Sequence, residues 1–471
     1  MLVDDVLLEI FDYCRNLLYF WRDWPPCYGG LWHILVHVCR RWRQIIFDSP
    51  RRLNLQLLCT YGTPVRKNLG IWPAFPINLQ LGSLTDLRPK DEENAIAALE
   101  HRDRVHTVRL FGTALQMGKM AAVMQEPFPV LTYLSMRSWC EDASVLPAGF
   151  LGGSAPHLQE ITLHRVPFPA LPTLLLSTSD LNTLKLFDIP TPGYISPERM
   201  IACLAALPRL IVFAITFQDI ALRPDRIRPS HVTRPVLPAL TSFEFRGALE
   251  YLEYFVAQID SPQLELISII YLDQLGHFPS RLIEVSDFIN RSIGPEFTPT
   301  RHARIHFQCD RVIFTLSRET YQGRDQRSVA TTISYDEIGW LYLSDLARVL
   351  GQFSAALCTV VHLEFEAELE ERGHLYDAYD IDWLHLLRHF PVMQTLLVSL
   401  DLAAPVSLAL EAITAEMFTE VLPSLDLICL EGEPASSLEK IVAIRQFSDH
   451  PITVVETTDE FGERLESYVS R

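Results

Sequence analysis

A short pattern of apolar positions recurs along the chain: an apolar residue, two other residues, an apolar residue, one other residue, and a third apolar residue. Three copies begin at Val105, Leu181 and Val360, and seven more each follow a proline by two positions. Those prolines are Pro129, Pro156, Pro208, Pro238, Pro262, Pro391 and Pro423. The closing alternation of apolar residues predicts a short strand that buries one face. Proline suits the entrance to such a strand because it donates no backbone hydrogen bond there.

Apolar residues at helical spacing occupy several of the stretches between these strands. The pair Ser196-Pro197 precedes one of them and suits the N-cap and the first helical position. The apolar positions of the predicted helices are Ile201, Leu204 and Leu207; Leu249, Leu252, Phe255 and Ile259; Leu343, Leu346, Val349 and Phe353; and Trp383, Leu384 and Leu387. The chain therefore predicts an α/β fold.

The spacing of the units indicates how they stack. Between Val105 and Leu264 the copies begin 23 to 30 residues apart, close to the roughly 20–29 residues of leucine-rich repeats. One strand and one helix cannot bury their own apolar surface, so neighbouring units must pack together. We therefore expect residues 51–471 to form a degenerate, leucine-rich-repeat-like curved solenoid, a right-handed β-α superhelix with a concave face of strands. An irregular insertion around residues 300–340 begins with a predicted β-hairpin at Ala303–Leu316.

Residues 1–50 follow a different pattern and predict a separate helical module. Apolar residues from Leu2 to Phe11 have helical spacing, and the acids at the start suit the helix dipole. A second helix is predicted over Trp32–Phe47. Its apolar face would comprise Leu35, Val38, Cys39, Trp42 and Ile46. Because two helices of this size are too small to be stable alone, we expect them to pack on the repeats or to dock on a partner.

The module resembles the F-box. Leu2–Phe11 looks like the opening helix of that motif, Val38–Trp42 is similar to its V-C-[KR]-x-W core, and Ser49–Leu55 resembles the junction with the repeats. The whole chain is most similar to fungal F-box-like proteins with degenerate leucine-rich repeats. The resemblance implies a substrate-recognition adaptor of an SCF ubiquitin ligase, which docks on a Skp-type linker and through it on a cullin. The implied linker-binding residues are Leu2, Leu7, Ile10, Phe11, Val38, Cys39 and Trp42.

Two features depart from the F-box pattern. Val3 stands where the family usually has proline, and the segment between Phe11 and Val38 is longer than usual. An alternative interpretation is that the N-terminal helices only cap the open edge of the first repeat, a common need in solenoids. The chain would then be a protein-binding scaffold with no role in ubiquitination.

Charge and composition limit the classes of partner that the chain is expected to bind. The chain has 471 residues, 48% apolar and 21% charged, as expected of a folded protein. Its net charge is −18, and residues 360–471 contain 22 acidic and 6 basic side chains. An acidic protein is poorly suited to nucleic acid, so we expect no nucleic-acid partner.

The longest apolar stretch, Ile201–Phe217, is interrupted by Pro208 and Arg209, so we expect no membrane span. The acidic N-terminus lacks the pattern of a signal peptide, and the expected location is cytoplasmic, nuclear or both.

Few residues suggest catalysis or a cofactor. Nine scattered cysteines with no C-x-x-C pair predict neither a disulfide framework nor a thiolate zinc site. The common nucleotide, metalloprotease and hydrolase motifs are absent from the sequence. We therefore predict no enzymatic activity, no cofactor and no metal. An enzyme on an unrecognised α/β fold remains a further alternative.

The outward positions of the predicted strands are the candidate substrate-binding residues, because they alternate with the buried ones. They are rich in arginine and aromatic side chains, which interface hot spots favour. They are Arg109, Phe111, Tyr133, Arg137, His164, Lys185, Phe187, Glu244, Arg246, Glu364 and Glu366. Glutamates alternate with apolar residues from Glu364 to Glu370, which predicts an acidic face that could contact a basic segment.

Overall fold

The computed structural model shows a mixed α/β protein. It describes residues 3–19, 34–50, 52–82, 88–139, 144–218, 234–273, 283–292, 302–308, 311–317, 328–335, 347, 350–353, 357–368, 383–412, 421–432, 438–445 and 451–457. The chain divides into two compact units, Met1–Leu210 and Ile211–Arg471. No helix within the described ranges is both long enough and apolar enough to cross a membrane.

Helices α1 (Asp4–Tyr19) and α2 (Arg40–Asp48) lie near the start of the first unit. The predicted continuous helix over Trp32–Phe47 is wrong, because residues 36–38 form a turn and the backbone is extended at Cys39 (φ −158°, ψ 167°). Cys39 is instead the N-cap of α2, and its Sγ accepts a hydrogen bond from the backbone N–H of Trp42 at 3.4 Å. This break leaves Val38 and Cys39 exposed, whereas Ile46 is buried.

The remainder of the first unit alternates strands with helices. The strands are β1 (Leu57–Cys59), β2 (Ile77–Gly82), β3 (Val105–Gly112), β4 (Tyr133–Ser138), β5 (Glu160–His164) and β6 (Thr183–Ile189). The helices are α3 (Val65–Ile71), α4 (Pro89–Leu99), α5 (Ala114–Val123), α6 (Leu171–Leu175) and α7 (Pro197–Ala205). Each strand from β1 to β5 pairs in parallel with the next strand along the chain.

The register of these strands aligns equivalent positions of the repeated unit. Val108, Leu134, Ile161 and Leu184 are paired in sequence across β3 to β6, and each is at most 1% exposed. The strands predicted here from alternating apolar residues are confirmed, as is the helix after Ser196-Pro197. Ser196 Oγ accepts a hydrogen bond from the N–H of Arg199, so the cap is formed as expected.

The described part of the second unit contains ten strands. They are β7 (Val212–Phe217), β8 (Ser242–Gly247), β9 (Leu266–Asp273), β10 (His302–Gln308), β11 (Arg311–Ser317), β12 (Ser328–Tyr335), β13 (His362–Glu368), β14 (Thr395–Val398), β15 (Leu427–Glu431) and β16 (Thr453–Thr457). Its described helices are α8 (Leu249–Ala257), α9 (Ile283–Ser292), α10 (Trp383–Leu387), α11 (Leu400–Glu411) and α12 (Glu439–Arg445). The predicted helix around Leu343–Phe353 falls largely outside the described residues.

An antiparallel segment interrupts the parallel strands of this unit. The predicted hairpin is confirmed, with Ala303 of β10 opposite Leu316 of β11. A third strand, β12, was not predicted from the sequence, because its serines and threonines obscure the apolar alternation. β12 pairs antiparallel with β11 and parallel with β9, and β10 pairs parallel with β13. The three strands are therefore inserted between β9 and β13 without leaving an unpaired edge there.

Candidate protein-binding surfaces

Helix α1 has two apolar stripes, which face in different directions. Leu7, Leu8 and Phe11 are buried in a cluster shared with α2 and the start of the repeats. A second stripe consists of Val3, Val6, Ile10 and Tyr13, whose side chains are 67%, 44%, 41% and 65% exposed. Residues spaced three and four apart lie side by side on a helix. The second stripe is therefore an exposed apolar face of a helix that is already packed on its other side.

The segment before α2 adds two more exposed apolar side chains, Ile34 at 62% and Val38 at 55%. We call these two residues and the second stripe of α1 the N-terminal apolar surface. Its members are Val3, Val6, Ile10, Tyr13, Ile34 and Val38. Exposed apolar side chains concentrated in one small module are typical of a surface that is covered by a partner.

The structure divides the predicted linker-binding residues into two groups. Leu7 and Phe11 lie in the core of the module, where the Phe11 ring packs edge-on against partly buried Trp42 with centroids 4.9 Å apart. Ile10, Val38 and Cys39 are exposed. Leu7, Phe11 and Trp42 therefore support the module, whereas Ile10 and Val38 are available to a partner. Leu2 lies outside the described residues.

Ion pairs connect the N-terminal helices to each other and to the following segment. Arg41 of α2 donates to the Asp4 carboxylate of α1, with its Nε 3.1 Å from Oδ1. Arg52 pairs with Glu9 of α1. These pairs are exposed, so each contributes little stability by itself. They fix the orientation of α1, and with it the direction in which the N-terminal apolar surface faces.

The outward side of β3 to β6 contains the predicted substrate-binding residues of the first unit. Register pairs Arg109 with Ser135, Thr162 and Lys185 in one row across the strands. A second row consists of Phe111, Arg137, His164 and Phe187. We call Arg109, Phe111, Tyr133, Arg137, His164, Lys185 and Phe187 the basic-aromatic face. Arg109 and Arg137 are exposed, and the other five are half-buried.

Both arginines of this face stack on rings from the adjacent strand. Arg109 Cζ lies 4.4 Å from the centroid of the Tyr133 ring, and Arg137 Cζ lies 5.5 Å from that of Phe111. Such cation–π contacts stabilise by about 0.5–1 kcal/mol at exposed sites and restrict the guanidinium groups. The positions of the two cations are thus partly fixed before any ligand binds.

Two groups beside the face were missed by the sequence analysis. Asp188 Oδ2 lies 3.5 Å from His164 Nε2 and 3.4 Å from Arg165 Nε, within ion-pair distance of both. Asp188 and Arg165 both have positive φ (48° and 55°), and this left-handed backbone places them out of the strand alternation. Simple alternation therefore could not have indicated them.

The pKa values of His164 and Tyr133 decide whether these two residues contribute charge to the basic-aromatic face. Burial lowers the pKa of His164, the cations Arg137 and Arg165 lower it further, and Asp188 opposes them. Burial raises the pKa of Tyr133, while Arg109 beside it has the opposite effect. Both residues are therefore neutral at physiological pH. The cations of the face are Arg109, Arg137 and Lys185, and the Glu160 carboxylate lies beside Tyr133 in the register of β4 and β5, where it also raises the pKa of Tyr133.

The predicted acidic face of the second unit must be corrected. Glu364 is 3% exposed, because β10 pairs beside β13 and places Arg304 in register with Glu364. Arg304 Nε donates to Glu364 Oε2 at 2.7 Å, and His302 Nε2 lies 3.4 Å from the same oxygen. Burial alone would raise the pKa of Glu364, but the hydrogen bonds and charges of His302 and Arg304 outweigh it and lower that pKa.

The other predicted residues of the second unit lie on its strands as expected. Glu366 is half-buried and pairs with Arg304 and His306, each at 3.7 Å, so its charge is also compensated. Glu244 is half-buried and Arg246 is exposed on β8. Glu370 lies outside the described residues. The Glu364 carboxylate of β13 is therefore not available to a basic segment of a partner.

Metal-ligating and nucleophilic groups do not converge in the described part of the chain. No group of three or more His, Cys, Asp or Glu residues there could hold a metal ion. Burial raises the pKa of the Cys59 thiol to about 12 and those of Cys203 and Cys429 to about 11. These three thiols are therefore protonated, and they act as small apolar residues of the core.

The fold and these surfaces define a mixed α/β protein with an exposed apolar helical face and a basic-aromatic strand face. The chain matches no model of a known protein family, and no curated protein matches it at a significant level. Its function must therefore be argued from the surfaces themselves.

Proposed function

We propose that this chain is the substrate-recognition adaptor of an SCF-type ubiquitin ligase. In this proposal the N-terminal module docks on a Skp-type linker, and through it on a cullin, while the strands hold a protein substrate. The chain itself catalyses nothing, takes no cofactor, binds no nucleic acid or membrane, and acts in the cytoplasm, the nucleus or both. The N-terminal apolar surface carries the proposal, because Val6, Ile10 and Tyr13 expose an apolar face on a helix that is already packed.

The resemblance to the F-box gains support from the way the implied linker-binding residues are distributed in the module, some packed in its core and others exposed. Leu7, Phe11 and Trp42, three of the residues that the resemblance implies for linker binding, pack together and support the module instead. Ile10 and Val38, which the resemblance assigns to linker contact, are exposed. A partner that covers these side chains would remove apolar area from water at about 25 cal/mol per Å². We assign the linker as that partner.

The repeats are proposed to form a leucine-rich-repeat-like curved solenoid. The support is the alignment of equivalent apolar positions, such as Leu134, Ile161 and Leu184, in one register row. Parallel strands joined by helices at this short spacing leave one side of the strands uncovered by their own unit. That side contains the basic-aromatic face, and arginine and aromatic residues are common at interface hot spots. We therefore propose it as the substrate-binding surface.

Co-purification of the full chain with a fungal Skp-type linker tests the proposal. The informative variant is Ile10→Asp/Val38→Asp, because both side chains are exposed and their replacement leaves the core intact. Leu7→Asp would be uninformative, since Leu7 is 4% exposed and the change would unfold the module. The matched control is Leu115→Asp/Leu176→Asp, at sites 71% and 62% exposed outside the module.

A stoichiometric complex with the wild type and the control, lost in Ile10→Asp/Val38→Asp, is the expected result. Circular dichroism and thermal unfolding of each variant verify that the chain is folded. A folded wild-type chain that forms no complex with the linker would overturn the adaptor proposal.

A second candidate function is a protein-binding scaffold in which the N-terminal helices only cap the repeats. The observation that favours it is the contact between α2 and the segment before β2. The Phe47 ring lies 5.8 Å from that of Phe75 and 5.9 Å from that of Trp72. Under this alternative, Ile10→Asp/Val38→Asp would leave all binding by the chain unchanged.

A further inference from the structure

The basic-aromatic face concentrates three cations, Arg109, Arg137 and Lys185, although the whole chain has a net charge of −18. Among the described residues, no carboxylate pairs with Arg109, Arg137 or Lys185. By contrast, Arg41, Arg52 and other exposed cations of the first unit do pair with carboxylates. Three cations on one face that form no ion pair within the described ranges provide electrostatic complementarity for an anionic partner.

The arrangement of the three cations indicates a row of separate anionic groups. Arg109 on β3 and Lys185 on β6 share a register row with two strands between their positions. At about 4.8 Å between neighbouring strands, their backbones are about 14 Å apart. Arg137 lies on β4 in the next row, and stacking on Phe111 keeps it there. A single phosphate needs several donors converging on one group, whereas Arg109 and Arg137 stack on different rings and Lys185 lies two strands beyond Arg137.

An extended peptide that crosses the strands fits this spacing. It advances about 3.3 Å per residue, so every second side chain points to the face at intervals of about 7 Å. Two carboxylates about four residues apart would span the distance from Arg109 to Lys185. Phe111 and Phe187 are half-buried at the two ends of the neighbouring row. The Arg137 guanidinium already covers the Phe111 ring, so Phe187 is the ring that offers surface to an apolar side chain near the carboxylates.

We infer that the basic-aromatic face binds an acidic segment of a protein partner, with Asp or Glu at alternating positions and an aromatic side chain between them. Arg109, Arg137 and Lys185 bind the carboxylates, and Phe187 contacts the aromatic side chain. This inference rests on the proposed adaptor function, since it specifies the class of substrate segment. It also excludes a basic segment as the ligand of this face.

Fluorescence anisotropy of the full chain tests the inference with a labelled synthetic peptide of about 12 residues, long enough to cross the four strands. The peptide alternates Glu with Ser and has one central Phe. Companion peptides replace Glu with Gln or with Lys, and another replaces the Glu residues by Gln and has one phosphoserine. The patch variant is Arg109→Gln/Arg137→Gln/Lys185→Gln. The control is Lys67→Gln/Arg88→Gln/Lys90→Gln, which removes the same charge from exposed positions outside the face.

We expect the Glu peptide to bind the wild type and the control equally and the patch variant at least about tenfold more weakly. Binding should weaken as salt is added. The inference would be overturned if the Glu peptide did not bind, or if the patch variant bound it as well as the wild type does. Equal binding of the Gln or Lys peptide, or tighter binding of the phosphoserine peptide, would also overturn it.

Linker co-purification on the same preparations separates this inference from the adaptor proposal. Because the patch variant leaves the N-terminal apolar surface intact, its complex with the linker should persist. Linker binding without peptide binding would reject the acidic-segment inference alone. Peptide binding without linker binding would reject the adaptor proposal and leave a peptide-binding scaffold.

Discussion

Arg304 donates from its Nε to Oε2 of Glu364 at 2.7 Å, across two parallel strands whose residues are sixty positions apart in the sequence. The Glu364 side chain is 4% exposed and that of Arg304 is 25% exposed. The contact joins the inserted β10 to β13, so it fixes the insertion in the parallel array. Removing one partner of a buried ion pair leaves a desolvated charge, which costs more than the pair contributes.

Arg304→Met should therefore lower the free energy of unfolding by about 3 kcal/mol at neutral pH. Arg304→Met/Glu364→Met should recover most of that loss, because it removes the buried charge together with its partner. The low pKa of Glu364 means that its stabilising effect exists above the ordinary carboxyl pKa and is lost as pH falls below about 4. Chemical denaturation at neutral and acidic pH measures both effects. A double variant no more stable than Arg304→Met would contradict this account.

Glu253 on α8 should destabilise the protein above neutral pH. Burial raises its pKa to about 7, and the negative charges of Glu284 and Glu250 raise it as well. The folded chain then binds more protons than the unfolded one between about pH 4.5 and 7, so stability falls as pH rises through that window. Glu253→Gln should remove this dependence and stabilise by about 1 kcal/mol at pH 8, a value discounted for partial exposure. Thermal unfolding across the pH range tests this prediction, with Glu93→Gln at an exposed position as the control.

His164 should titrate at a higher pH when Arg137 is removed. The His164 imidazole faces Arg137 on β4, and Asp188 and Arg165 lie beside it. Of the two cations, Arg137 has the larger effect on the pKa of His164. Arg137→Gln removes a positive charge that disfavours the imidazolium, so the pKa of His164 should rise towards its ordinary value. NMR of labelled histidine rings measures the change, and His164→Gln identifies the resonance. Arg109→Gln is the matched control and should leave it unchanged.

Cys39 should contribute to stability through its cap on α2. A thiol is a weak acceptor, so Cys39→Ala should cost only about 0.5 kcal/mol, and Cys39→Ser should stabilise by a similar amount. Because Cys39 is exposed, neither change should disturb the core. Chemical denaturation measures both variants. A Cys39→Ser variant less stable than Cys39→Ala would show that the cap is not formed.

The sequence predicted most of the repeated strands because each needs only local information. Alternation at Leu134 and Met136, or at Leu363 and Phe365, identifies the side of the strand that is buried. The same alternation placed Arg109, Tyr133 and the other members of the basic-aromatic face on the outward side. Its stacked pairs could not be predicted, because Arg109 and Tyr133 belong to different strands whose register is set by packing of the helices between them.

By itself, the sequence determined the α/β class, the spacing of strands and helices, and the residues available on each side of a strand. Only the tertiary structure decided which outward residues stay exposed. Glu364 and Arg109 occupy equivalent outward positions, yet Glu364 is buried because β10 brings Arg304 and His302 beside it. The break at Cys39 was decided in the same way, by the packing of α2 against Phe11 and Phe75. The spacing of apolar residues and secondary-structure propensity are local properties of the chain. The exposure of a side chain and the pairing of its charge depend on which distant strand lies next to its own.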